Sequence, residues 1–317
     1  MHYKHVFFIC YLLLSMNFLA CGQHKGFDIA TEMDRLENFD YEPIYQVRVH
    51  TPYTYTIWIN GIPIANKLPY LNQYMAGINP CIPASGKQQI EIRIYPRFDD
   101  METQKKFLEK DIEFELTIEK TAWKDGSLEE PEVIYSYRLP EADYSNKKSI
   151  VHSDGFMAEV PYRLIDWRAG ATFNQKDSVA LKTKALKVYE ELISHYENQH
   201  GKDFNNAIGK GLYNLYQSSY FSKEEALDHL NHSISFINKK KRDLEEIENY
   251  RLEILGNGKL LSLKRTDGFN REEGVLRRHY LKQRKQHAHI YDVLLYAPEN
   301  DRLEVVWLTN LVKPTAP

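Results

Sequence analysis

Tyr53–Ile64, YTYTIWINGIPI, decides how the first half of the chain is read. Asn60-Gly61 stands between two apolar runs, and both residues tolerate positive φ, so the pair is a two-residue hairpin turn. The same period of two recurs on either side. Ile90, Ile92 and Ile94 point one way while Glu91, Arg93 and Tyr95 point the other. Ile112, Phe114, Leu116 and Ile118 alternate with Asp111, Glu113, Glu115, Thr117 and Glu119. One apolar face and one charged face describe an antiparallel strand covered on one side. Further strands are expected at Tyr45–His50, Val133–Leu139 and Phe156–Leu164. Seven or eight strands in about 120 residues predict a β-sandwich.

Within that region Ser85–Pro96, SGKQQIEIRIYP, resembles the glycine-turn-strand stretch of Ig-like and jelly-roll modules found on bacterial surface enzymes. Proline then marks a change of architecture. Ten of the thirteen prolines fall between Pro43 and Pro161, and the next is Pro298. Proline is excluded from helix interiors and central strands, so the junction is placed near Asp166–Gly170. Beyond it, Val179, Leu186, Tyr189, Ile193 and Tyr196 recur at helical spacing, as do Phe204, Ile208, Leu212, Leu215 and Ser219. A third helix opens on a Ser222…Glu225 capping box and is expected to run through Leu227, Leu230, Ile234, Ile237, Leu244 and Ile247. The stretch from Gly211 to Leu230 is similar to a single tetratricopeptide unit, but no second copy follows, which excludes a repeat array. Period two returns in Tyr250–Arg265, turning at Gly256-Asn257-Gly258, and again near Val275–Lys282, His289–Tyr296 and Leu303–Trp307. The expected whole is α+β: an all-β sandwich, then an α+β domain of about three helices and an antiparallel sheet. Its order of elements is compatible with a cone-shaped NTF2-like arrangement.

The N-terminus supplies an address. Lys4 precedes an apolar run, Val6–Leu14, and Phe18-Leu19-Ala20 leads into Cys21. A basic tip, a short apolar core and a small residue before the cut make a secretory signal, too short for a span of about 20 apolar residues. The Leu19-Ala20-Cys21 ending resembles the lipobox of bacterial lipoproteins, with Phe18 where leucine is usual. That resemblance implies cleavage after Ala20 and acylation of Cys21. Gly22 after the cysteine implies an outer-membrane rather than inner-membrane destination, and the lack of an acidic cluster behind it implies a periplasm-facing protein. The expected divisions are signal 1–20, lipidated cysteine and tether 21–44, with a short helix around Ile29, Met33 and Leu36, sandwich 45–166 and α+β domain 167–317.

Removal of the leader takes away only Lys4, leaving 40 basic against 44 acidic side chains, net −4. That balance argues against nucleic acid and against electrostatic membrane binding, and leaves a covalent lipid as the anchor. Cys10 departs with the leader and Cys21 carries lipid, so Cys81 is a lone thiol, expected to be buried.

Candidate binding residues form two groups. In Arg271–Tyr291, Arg271, Arg277, Arg278, Lys282, Arg284 and Lys285 exceed Glu272 and Glu273, giving about +4 locally. On neighbouring strands they would make a basic face for phosphate, lipid headgroups or an acidic partner, or simply a solvated hairpin. His287 and His289 share a strand face, with His279 across the hairpin and Asp292 beyond. Paired imidazoles of this kind bind zinc or copper, but no metalloprotease-type motif accompanies them. The second group is aromatic: Tyr53, Tyr55 and Trp58 at the first hairpin, followed by Tyr70 and Tyr74, in a chain holding 22 Tyr and 14 Phe. No serine-hydrolase elbow, dinucleotide fingerprint or P-loop is present, and no motif calls for a cofactor. The expected role is non-enzymatic binding of a protein partner or envelope glycan. The alternatives are toxin neutralisation by an immunity-type lipoprotein, or an enzyme whose site leaves no linear motif.

Overall fold

The computed structural model describes residues 27–66, 73–99, 103–124, 127–239, 244–267, 272–282, 285–298 and 302–314. The leader, Cys21, Tyr70, Arg271 and Arg284 lie outside them, as do the side chains of Lys282 and Lys285. In chain order the elements begin with α1 (Ile29–Glu32), β1 (Glu42–His50), β2 (Thr54–Ile59), β3 (Ile62–Asn66), β4 (Gln73–Gly77) and β5 (Gly86–Tyr95). β6 (Glu115–Lys124), β7 (Ser127–Leu128), β8 (Glu132–Arg138) and β9 (Ile150–Ala158) complete the all-β part. Then come α2 (Ser178–Glu197), α3 (Gly201–Ala207), α4 (Gly209–Ser218) and α5 (Lys223–Lys239). A last sheet holds β10 (Tyr250–Leu255), β11 (Leu260–Arg265), β12 (Leu276–Lys282), β13 (Lys285–Tyr296) and β14 (Glu304–Pro314). The α+β order expected from periodicity is the order observed.

All the strand pairings are antiparallel. One sheet runs β4-β1-β6, with β7 and β8 both pairing β6; a second runs β3-β2-β5-β9. Their facing sides supply Tyr45, Val47, Val49, Leu116 and Ile118 from one sheet and Tyr55, Ile57, Ile59, Ile90, Ile92, Ile94 and Phe156 from the other. These are the alternate residues that the period of two marks as inward, and the two sheets form the sandwich. The third sheet pairs β10 with β11 and β14 with β13, while β11 and β12 also pair β13. Leu181, Ala185, Tyr189, Leu192 and Tyr196 of α2, with Phe204, Leu212, Tyr216 and Leu230 from the later helices, cover one face of it at Leu261, Leu263, Val293 and Leu295.

The two parts are in contact over a broad front. The sandwich core continues onto Leu260, Leu294, Tyr296 and Val306 of the last sheet. At the junction Trp167 is buried, Ala171 N–H donates to the Ala297 carbonyl and Phe173 N–H to that of Gly258. The hairpin tips meet as well. Asn60 and Gly61 take φ of 50° and 77°, the left-handed pair the turn demands. Gly256 N–H donates to the Gly61 carbonyl at 3.2 Å, and a Cβ on Gly61 would lie 2.3 Å from Gly256 Cα. Asn79 ties β1 to the turn after α4: its Oδ1 accepts Tyr45 N–H at 2.7 Å, while its Nδ2 donates to the Pro43 carbonyl at 2.8 Å and lies 3.5 Å from the Tyr220 hydroxyl.

Several expected boundaries moved. The stripe from Phe204 to Ser219 is two helices, α3 and α4, meeting at Ile208. The third helix is described over Lys223–Lys239, and Leu244 and Ile247, expected to continue it, reach the same core from a non-helical segment. The strand expected over 156–164 is β9, ending at Ala158, and β6 begins at Glu115, after the buried Ile112 and Phe114. Residues 27–41 are no tether. Ile29 and Met33 are buried among the helices, and Glu37 exchanges hydrogen bonds with the Gln217 side chain, both at 3.0 Å. Among the described residues no helix is long and apolar enough to cross a membrane.

Candidate functional site

The basic hairpin splits into two unlike faces. β12 and β13 pair Arg277 with Ile290, Arg278 with His289, His279 with Ala288 and Tyr280 with His287. Cross-strand partners share a face, so Arg278, Tyr280, His287 and His289 lie on the helix side and Arg277 and His279 on the other.

Arg277 is not part of an exposed basic surface: its relative exposure is 0%. Its guanidinium lies 3.3 Å from Glu273 and 3.6 Å from Glu245, and burial holds its pKa below the usual arginine value. Glu245 is the hub of this cluster. Its N–H donates to the Arg277 carbonyl, and its carboxylate takes Arg265 at 2.7 Å and also contacts His279. Arg265 in turn forks onto Asp267, holding that carboxyl below the usual range. Paired charges explain why arginine is tolerated here: burying a guanidinium is acceptable only beside carboxylates that neutralise it. Nothing periodic announced Glu245, which lies in the segment read as helix.

On the helix side Arg278 lies over the Tyr280 ring at 4.9 Å and the Phe236 ring at 5.9 Å, with its Nη2 3.2 Å from His289 Nδ1. His289 stacks on Tyr291 at 4.4 Å and His287 on Tyr280 at 5.7 Å. His287 and His289 do share a face, as the strand period requires. His279 and Asp292 are on the opposite one, Asp292 paired with the buried Lys264, so these four do not converge.

The aromatic group at the first hairpin is mostly core. Tyr53 and Tyr55 are buried. The Tyr53 hydroxyl donates to Glu109 at 2.8 Å, and burial with that carboxylate pushes its pKa up to about 12. Tyr55 packs edge-on against Phe114 at 5.9 Å and Tyr74 at 6.4 Å. Trp58 is half-buried, with the Arg93 guanidinium 4.8 Å above its ring. β-Branched and aromatic residues were favoured there because they pack in strands.

The surface aromatic that periodicity did not single out is Trp123. It lies on the outer face of the first sandwich sheet, 52% exposed, directly opposite Leu128, which is 49% exposed. Val133, 55% exposed, stands opposite Glu119 on the same face, and Ile44 opposite Thr121. A bidentate Arg48–Glu119 pair at 3.1 Å borders them. Alternation alone tells that such residues share a face, not that the face is bare.

Cys81 is fully buried in a short 3-10 turn, and burial drives its thiol pKa far above the ordinary value. Since the thiolate is the reactive form, native protein should resist a thiol reagent such as DTNB. In denaturant one equivalent should react in a chain lacking residues 1–21. Rapid labelling under native conditions would place Cys81 at the surface instead.

Comparisons with protein families, with curated proteins and with solved structures found no match for this chain.

Proposed function

We propose that this chain is a lipid-anchored bacterial envelope protein, held at the outer membrane through Cys21 and facing the periplasm, whose folded part binds a protein partner or an envelope polymer without turning it over. The observation that carries the binding half is the Trp123–Leu128–Val133 face. Exposed apolar side chains scattered singly need no explanation, but a tryptophan, a leucine and a valine, each about half exposed on one sheet face, form the kind of patch that marks an interaction surface. Tryptophan is the residue most enriched among interface anchors, and a polar border such as Arg48–Glu119 suits the rim of a contact. The anchoring half rests on the leader and its lipobox-like end.

Photo-crosslinking tests the binding face. A photoreactive residue at position 123 should give a discrete adduct in intact envelopes, while one at the exposed Glu190 of α2 should not. Trp123→Ala combined with Val133→Ser should weaken capture of that adduct's partner by at least about tenfold, the effect of removing one or two anchors. Its unfolding midpoint should fall only slightly, since both side chains are about half exposed and lie outside the core. Equal adducts from both positions, or undiminished capture by the double variant, would contradict a binding role for this face.

A further inference from the structure

The corner between α2 and α3 brings together side chains that neither candidate group contains. Glu191 and His195 lie one helical turn apart in the last two turns of α2. The chain then reverses at Gln199, whose φ is 63°, with His200 N–H donating to the His195 carbonyl at 2.9 Å. Asp203 follows in the first turn of α3. One donor atom from each of His195, His200 and Asp203 lies within 4.8 Å of the others. They converge without hydrogen bonding to one another. His200 Nδ1 is 4.0 Å from the Asp203 carboxylate, and His195 Nε2 is 3.6 Å from that of Glu191.

We infer that His195, His200 and Asp203, with Glu191 alongside, form a binding site for a divalent transition-metal ion, of which zinc is the best fit. Two imidazoles with carboxylates suit zinc and its neighbours, whereas calcium and magnesium take all-oxygen sets. Zinc–ligand bonds of about 2.0–2.1 Å place tetrahedral donors roughly 3.4 Å apart, so closure requires the donors to approach by about 1.4 Å or less. His200 and Asp203 are free to make that movement, with side chains 57% and 58% exposed. The backbone beneath them is fixed. Gly201 N–H donates to Asn238 Oδ1 of α5 at 2.8 Å, and a Cβ on Gly201 would lie 2.6 Å from the Ile234 carbonyl. His195, His200 and Asp203 fill three positions; Glu191 or water takes the fourth. Bound metal would join the end of α2 to the start of α3 and stabilise the helical layer in proportion to its occupancy.

Zinc titration of the folded protein, by calorimetry and by competition with a chromophoric chelator, tests the site. The parent protein should bind one zinc saturably and gain thermal stability. His195→Gln and His200→Gln should each weaken binding by at least about tenfold and remove the thermal shift. His232→Gln, which alters a separate His–Asp pair on α5, should leave binding unchanged. In the NMR spectrum the ring signals of His195 and His200 should move on zinc addition. No saturable binding by the parent, or parent-like affinity in the His195→Gln/His200→Gln double variant, would overturn the assignment. His200 is exposed and His195 only partly covered, so circular dichroism of the metal-free variants should match the parent and separate lost binding from lost folding.

Discussion

Arg277→Ala should lower the unfolding free energy by about 3–5 kcal/mol, the cost of removing one partner from a buried ion pair. The guanidinium is inaccessible and is held between Glu245 and Glu273, so truncation leaves two carboxylates facing a cavity. Two losses combine: the packing of the aliphatic stem and the compensation of a partly buried negative charge. Arg278→Ala, next along the strand but on the other face, loses ring stacking over Tyr280 and Phe236 and should cost only about 1 kcal/mol. Urea unfolding of the two variants separates the buried ionic cluster from the ring-stacked arginine on the helix side. If Arg277→Ala cost less than Arg278→Ala, the burial of Arg277 and the role of Glu245 would both be wrong. A double-mutant cycle with Glu245→Gln should return a coupling of about 1–3 kcal/mol between the two sites.

The contrast between those neighbours marks where sequence reading succeeds and fails. Backbone-dictated features were legible. Asn60-Gly61 and Gly256-Asn257-Gly258 turn with positive φ throughout, because few other residues adopt that conformation cheaply. Ser222 and Glu225 make their reciprocal cap, Ser222 N–H donating to the carboxylate at 2.8 Å and Glu225 N–H to the hydroxyl at 3.2 Å. Ile90, Ile92 and Ile94 are buried in register, as their alternation with polar residues demands. What was illegible depends on partners distant in the chain. An arginine reads as exposed until a carboxylate 32 positions earlier is seen to neutralise it. Tyr53 and Tyr55 carry the same letters whether a second sheet covers them or water does. Leu244 and Ile247 continue a helical period, yet they join the same core from a non-helical segment. Trp123 is the converse case, an apolar residue at a correct strand position whose own side chain stays about half exposed.

The largest expected effect belongs to the anchor. On the proposed reading, Cys21 is the thiol that the lipobox-like leader presents for acylation, and a serine hydroxyl in its place is not a substrate for that transfer. Acyl chains contribute about 0.8 kcal/mol per buried CH₂, so two or more chains hold a protein at a membrane almost entirely by themselves. With a net charge of −4 after residue 20, electrostatic attraction to anionic lipid does not substitute for them. Metabolic labelling with a fatty acid, followed by membrane fractionation, is therefore the measurement that bears most directly on the anchored-protein account. The parent should incorporate label and partition with the outer membrane, whereas Cys21→Ser should lose both label and membrane association while keeping the parent's thermal unfolding. A parent chain that takes no label, or a Cys21→Ser variant that remains labelled, would contradict it.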